Sequence, residues 1–291
     1  MAKRRPPTIH GLAIVDKPAG VTSHDVVNQL RQHFGERRIG HAGTLDPDAT
    51  GILLVGVGYA TRLLQFLSGL DKTYTGEVVL GSETNTLDSS GAVTATYDMS
   101  HVTLSQARDA ARELTGEIMQ IPPMVSAIKI GGKRLHELAR EGIEVERTAR
   151  PVTVYSFDVE ATSEPLVLRI KVRCSAGTYV RTLAADLGKL LGGGAHLRNL
   201  RRVAVGAFDE SQAQSPLEVQ LLPAVTAVRD LTQVVVDTAT AAMIRNGRVL
   251  DAWTGNPPWA LIDEHGSLLA VYEPFTGGRA KPVVVLAEAI A

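Results

Sequence analysis

The chain has 291 residues, 44% of them hydrophobic, enough to bury one large core and a smaller second one. No stretch approaches the roughly 20 apolar residues that a membrane helix needs, and Lys3, Arg4 and Arg5 lead into no apolar run of signal-peptide type, so a cytoplasmic protein is expected. A single cysteine, Cys174, leaves no internal disulfide, and the eight histidines form no ligand pair on one helix, which argues against a metal site.

The net charge of −1 hides its distribution. Residues 230–291 hold four basic and seven acidic side chains, hence −3, and the remainder holds +2. Positive charge gathers at Lys129, Lys133, Arg134, Arg140, Arg147 and Arg150, and again at Arg198, Arg201 and Arg202. Composition alone reads these either as contacts for a polyanion or as an ordinary solvated surface.

In chain order, Ser23 reads as the N-cap of a helix with the apolar face Val26, Val27, Leu30 and Phe34, ended by Gly35. Ile52 to Val57 is a continuous apolar run, read as a buried strand, and Tyr74 to Leu80 reads as another. Thr103 and Gln106 have capping-box spacing ahead of a helix carrying Ala107, Ala110, Ala111 and Leu114, closed by Gly116. From Leu166 to Cys174, apolar side chains alternate with Val167, Arg169, Lys171 and Arg173, which predicts a strand with one core face and one mostly cationic face. Val180, Leu183, Ala184, Leu187 and Leu191 then repeat at helical spacing, placing Arg181 in the first turn of a helix. Ser211 to Pro216 is polar and aperiodic and reads as part of a linker. A small β-rich module follows, with a turn at Asp263 to Gly266.

The most unusual stretch is Gly40-His41-Ala42-Gly43-Thr44-Leu45-Asp46-Pro47-Asp48-Ala49-Thr50-Gly51, with three glycines, a proline, a histidine and two carboxylates. It reads as a loop directly ahead of a buried strand, the kind of rigid base on which scaffolds hold reactive groups. On spacing alone, Asp46-Pro47-Asp48 is more simply a turn with Asx hydrogen bonds.

This segment resembles the Gly-His-x-Gly-x-Leu-Asp-Pro-x-Ala-x-Gly signature of the TruB family of tRNA pseudouridine synthases. The resemblance continues in order through Lys17-Pro18-Ala19-Gly20-Val21-Thr22-Ser23, Lys72-Thr73-Tyr74, Gln120-Ile121-Pro122-Pro123-Met124, Gly177-Thr178-Tyr179-Val180-Arg181, Gly194-Ala195-His196-Leu197 and Leu200-Arg201-Arg202. It spans residues 11–206 and departs at Val125, where the family often has an aromatic residue, and at His136, where it often has tyrosine.

The resemblance implies an α+β protein with a mixed, mainly antiparallel catalytic sheet over residues 1–215. A mobile thumb insertion would occupy about 120–150, and a small β-rich PUA-like RNA-binding domain 230–291. It implies isomerisation of uridine to pseudouridine at position 55 in the T-loop of tRNA, without cofactor or metal, by a monomer needing no protein partner. Asp46 matches the family's nucleophile, Arg181 the cation that keeps it ionised, and Tyr74 the ring that stacks on a flipped-out uracil. His41 would fill the space the base leaves, Leu200 would line the apolar wall and Lys17 would support the loop near the substrate. Lys129 and Arg202 would contact RNA.

Two rivals rest on the same residues. Asp46-Pro47-Asp48-Ala49-Thr50 fits the Asp-x-Asp-x-Thr pattern of an aspartyl-phosphate phosphatase, but the polar, glycine-rich Arg37 to Leu45 replaces the apolar strand that motif needs. A non-catalytic RNA-folding module would use the same cleft without needing a nucleophile. A paralogue working in a guide-RNA complex would be expected to carry lysine-rich tails, which this chain lacks.

Overall fold

The computed structural model describes residues 6–286 apart from 127, 128, 131, 136, 137, 139, 140 and 144, with the side chains of 129, 130, 133 and 134 also left aside. His136, Arg140 and the side chains of Lys129, Lys133 and Arg134 therefore lie outside the described residues. The chain divides into two compact units, Met1–Pro47 with Gly51–Gly69 and Ala207–Ala291, and Asp48–Thr50 with Leu70–Gly206. It is a mixed α+β protein whose sheets are mainly antiparallel. Among the described residues no helix is long and apolar enough to cross a membrane.

In the first unit the strand Thr50–Val57 pairs antiparallel with Gly11–Lys17 and with Ile39–Ala42. Buried on both faces, it reads as the unbroken apolar run seen in the sequence. The helix Ser23–Phe34 turns Val26, Val27 and Leu30 into a core with Ala13, Val15, Leu53 and Val55, and Gly35 ends it at φ 62°. Its N-cap is Thr22, not Ser23. The Thr22 hydroxyl accepts from the Asp25 N–H while the Asp25 carboxylate accepts from the Thr22 N–H, completing a capping box one residue earlier than expected.

The expected linker at Ser211 to Pro216 is also not free. The Asp16 N–H donates to the Gln214 carbonyl and Gln214 N–H to that of Ile14, while Leu12 and Leu222 exchange both backbone bonds. Such pairing involves only backbone groups, so it leaves no side-chain period in the sequence. The five-stranded C-terminal sheet runs Thr232–Val235, Trp259–Ile262, Leu268–Phe275, Arg279–Val285, Leu250–Asp251, and packs Trp259, Leu261 and Tyr272 against Ala241 and Ile244 of the helix Thr238–Arg245. Its turn falls where the sequence puts it, with the Asp263 carboxylate accepting from the His265 and Ser267 N–H groups.

The second unit is built on the antiparallel order Ala195–Val205, Lys72–Leu80, Val167–Cys174, Arg150–Ala161, Gly116–Gln120. In Val167–Cys174 the residues Ile170, Val172 and Cys174 are buried while Arg169, Lys171 and Arg173 are exposed, as the alternation requires. Burial pushes the Cys174 thiol up to about 11. The helix Leu104–Glu113 starts on the Thr103/Gln106 capping box.

The helix Val180–Leu190 approaches the strand Ala195–Val205 through Gly188, where an added Cβ would lie 2.5 Å from the Ala195 nitrogen and 2.7 Å from its Cβ. Helix propensity alone makes glycine to alanine stabilising by about 1 kcal/mol. Here the clash with backbone wins, so Gly188→Ala should destabilise by about 1–3 kcal/mol, and thermal denaturation should show a melting temperature lower by several degrees. A higher melting temperature would show that the Gly188 contact is loose.

Candidate active site

Asp46 is half-buried and sits between two residues whose backbones are tied down. On one side, the Ser23 hydroxyl accepts from the Leu45 N–H at 2.9 Å and donates to the Leu45 carbonyl at 3.2 Å. Ser23 reaches it because Thr22 has taken the capping role, leaving Ser23 inside the first turn and 2% exposed. On the other side, the Pro47 carbonyl accepts from Lys17 Nζ at 2.9 Å and from the Gly20 N–H at 3.0 Å. Lys17 is fully buried, and Nζ also donates to the Pro18 and Val21 carbonyls at 2.8 and 2.7 Å. A buried ammonium is tolerated only with such partners, and three carbonyls match its three protons. Lys17 thus ties down the backbone after Asp46, and its side chain has no exposed surface with which to meet RNA.

The stretch from Gly40 is not all loop. Gly40, His41 and Ala42 belong to the strand Ile39–Ala42, where His41 is half-buried opposite Val55. The irregular part begins at Gly43, whose φ of 78° suits glycine.

In the second unit Arg181 lies in the first turn of Val180–Leu190, 4% exposed. One Nη donates to the Thr86 carbonyl at 2.9 Å and the other to the Val125 carbonyl at 2.8 Å, and Asp88 Oδ2 stands 3.5 Å from the first. These partners offset the unfavourable helix dipole felt by a cation at this end. Asp88 is in turn fixed by the Thr86 hydroxyl and by the N–H and hydroxyl of Ser90.

Tyr74 is 9% exposed on the inward row of Lys72–Leu80, with Val172 and Arg202 as its cross-strand neighbours. Arg202 is fully buried, which corrects its expected role: a guanidinium with no exposed surface meets no phosphate from solvent. Lys72, on the same row and 6% exposed, has its ammonium pushed down to about 8, by burial first and by repulsion from Arg202 second. Leu200 is half-buried at an irregularity between Arg198 and Arg201, beside Asn199 at φ 53°. Ser23, Asp88 and Gln120, whose carboxamide holds the Tyr179 backbone, were not legible as functional residues in the sequence. Ser23 and Gln120 lie inside matched motifs, whereas nothing in the Thr84–Ser90 segment signals Asp88.

This is the fold of the pseudouridine synthases. Chains in "Crystal structure of the archaeal box H/ACA sRNP Nop10-Cbf5 complex" (TM-score 0.69, 23% identity, 97% of this chain and 88% of that one) and in "Structure of H/ACA RNP bound to a substrate RNA containing 2'-deoxyuridine" (0.68, 22%, 94% and 83%) share it. The chain belongs to the TruB family: the family model for "TruB family pseudouridylate synthase (N terminal domain)" matches residues 31–180. Those for "tRNA pseudouridylate synthase B C-terminal domain" and "tRNA Pseudouridine synthase II, C terminal" match 181–236 and 232–287. It is similar to proteins named tRNA pseudouridine synthase B from Arthrobacter sp. (strain FB24), 43% identical over 96% of this chain and 97% of that protein, and from Dehalococcoides mccartyi (strain CBDB1), 39% over 94% and 96%. The chain is thus an isomerase.

Ser23→Ala should strand two backbone groups of Leu45, costing about 1–3 kcal/mol each, and free the residue before Asp46. Turnover should fall roughly 10- to 100-fold with substrate affinity nearly unchanged, as kinetics alongside a binding titration would show. Unchanged turnover would mean that Pro47 alone holds the loop.

Lys72 gives a pH dependence. Its folded value of about 8 lies below the ordinary 10.5, so between these the unfolded chain binds the extra proton and stability rises with pH. The cost is fully present below about pH 8 and gone above pH 10.5. In thermal scans the wild type should therefore gain on Lys72→Met across that window, and a constant difference would contradict the assignment.

Proposed function

We propose that this chain isomerises uridine to pseudouridine at position 55 in the T-loop of tRNA, with Asp46 as nucleophile. The carboxylate attacks either C6 of the uracil or C1′ of the ribose. The N1–C1′ bond breaks, the base turns, C5 bonds to C1′, the bond to Asp46 breaks to return the carboxylate, and the proton lost from C5 is balanced by one gained at N1. Nothing in this balance calls for an oxidant, a reductant or an energy source, so no cofactor is needed. The observation that carries the reading is the double restraint on Leu45 and Pro47, which holds a reactive carboxylate in place on an irregular segment.

The remaining roles follow from the base-flipping this reaction requires. Tyr74 stacks on the extruded uracil, contributing roughly 1–3 kcal/mol, comparable with the flipping cost. Arg181 supplies the positive charge that favours ionised Asp46. His41 occupies the space left in the T-loop and Leu200 lines the apolar wall. The insertion at about 120–150, with Lys129, closes on the RNA backbone, and residues 230–291 act as a PUA-like module that helps hold the tRNA. The enzyme works as a monomer. Named relatives acting on tRNA over nearly the whole chain support the substrate.

Asp46→Asn keeps the shape of the side chain and removes its nucleophilicity. It should abolish pseudouridine formation in a tRNA transcript while leaving the dissociation constant for that transcript nearly unchanged. Residual turnover above about a tenth of wild type would sink the nucleophile assignment, since loss of a covalent catalyst costs far more than tenfold.

A further inference from the structure

The strand Gly116–Gln120 ends on a side chain that is 2% exposed and meets the backbone of one residue twice. Gln120 Oε1 accepts from the Tyr179 N–H at 2.7 Å, and Nε2 donates to the Tyr179 carbonyl at 3.1 Å. Tyr179 is the N-cap of the helix Val180–Leu190 and makes no cap of its own. In a capping box, a Glu or Gln three residues into the helix takes the N-cap N–H. That position is Thr182, whose buried hydroxyl has no partner among the described residues. Gln120, 59 residues earlier, does the work of the missing glutamate.

The tie is returned two residues further on, where Arg181 donates to the Val125 carbonyl. Residues 120–125 and 179–181 are therefore joined by three hydrogen bonds, two made by Gln120 and one by Arg181. Carbonyls and Asp88 fix the far end of the Arg181 side chain, and the Tyr179 peptide fixes the start of the turn that carries it.

We infer that Gln120 is a positioning residue for the isomerisation: by holding both the N–H and the carbonyl of Tyr179 it sets where the helix begins and hence where the Arg181 guanidinium lies. This rests on the proposed function, in which Arg181 acts on the reacting carboxylate. Because Gln120 also opens the insertion at 120–150, the same bonds tie any displacement at the base of that insertion to Arg181.

The test compares Gln120→Leu and Gln120→Glu on a tRNA transcript. Gln120→Leu should lower kcat roughly 10- to 100-fold with KM within about threefold, the signature of misplacement and not of lost binding. In Gln120→Glu the carboxylate can accept from Tyr179 but not donate to it, whereas the protonated acid can do both. Its kcat relative to wild type should therefore rise as pH falls from about 8 to 6, a recovery that a merely structural role would not give. A folded Gln120→Leu protein with wild-type kcat, or a flat Gln120→Glu ratio, would overturn the inference, and the second applies even where Gln120→Leu does not fold. Wild-type turnover in the same assay tests the proposed function separately. Should the wild type form no pseudouridine, hydrogen exchange at the Tyr179 amide still decides the positioning claim: protection lost in Gln120→Leu, which offers that amide no acceptor, supports it, and unchanged protection refutes it.

Discussion

A fully buried ammonium facing three backbone carbonyls is the constraint on which the segment around Asp46 depends. Lys17 ends the strand Gly11–Lys17, so its position is set by the sheet, and it passes that position to Pro47 through one hydrogen bond. Leaving those carbonyls unpaired in the interior would cost about 1–3 kcal/mol each, and an uncompensated ammonium would cost more. The charge and the acceptors thus fit only together. Ser23 does the same on the other side of Asp46 with a neutral hydroxyl. The result is a short irregular segment around Asp46 with rigidity borrowed from a strand and a helix.

Arg181 is secured by similar means in the second unit, by the Thr86 and Val125 carbonyls and by Asp88 at 3.5 Å. Carbonyl acceptors at this distance orient the guanidinium plane as well as hold it.

What could be read from the sequence were the features in which periodicity or local spacing expresses burial. The strand Val167–Cys174 and the helix Val180–Leu190 follow from alternation and helical repeat, and the Thr103 cap from a spacing of three residues. The Ser23 misreading has a local cause: Thr22 and Ser23 are both good caps, and only the Asp25 partner decides between them. His41 was assigned to a loop because Gly40-His41-Ala42 has no strand pattern, yet a short strand beside Thr50–Val57 needs only backbone pairing. The grip of Gln120 on Tyr179 and of Arg181 on Thr86 spans 59 and 95 residues, and no single-sequence pattern encodes a hydrogen bond at that range. Arg202 shows the converse error, since a cluster of arginines suggests surface until the pleat of its strand turns one of them inward.

The backbone bonds from Gln214 and Leu222 to the strand Gly11–Lys17 bear on how the protein could be cut. An unpaired strand edge is a template for joining another chain, and here Gln214 and Leu222 cover that edge. A fragment ending near residue 215 would keep the loop around Asp46 but lose the Leu222 pairing to Leu12, exposing the flank of the very strand that ends in Lys17. A cut in this region therefore has its natural place after Leu222, several residues past the polar stretch that looks like a boundary, and shorter pieces would trade a clean cut for a sticky edge on that strand.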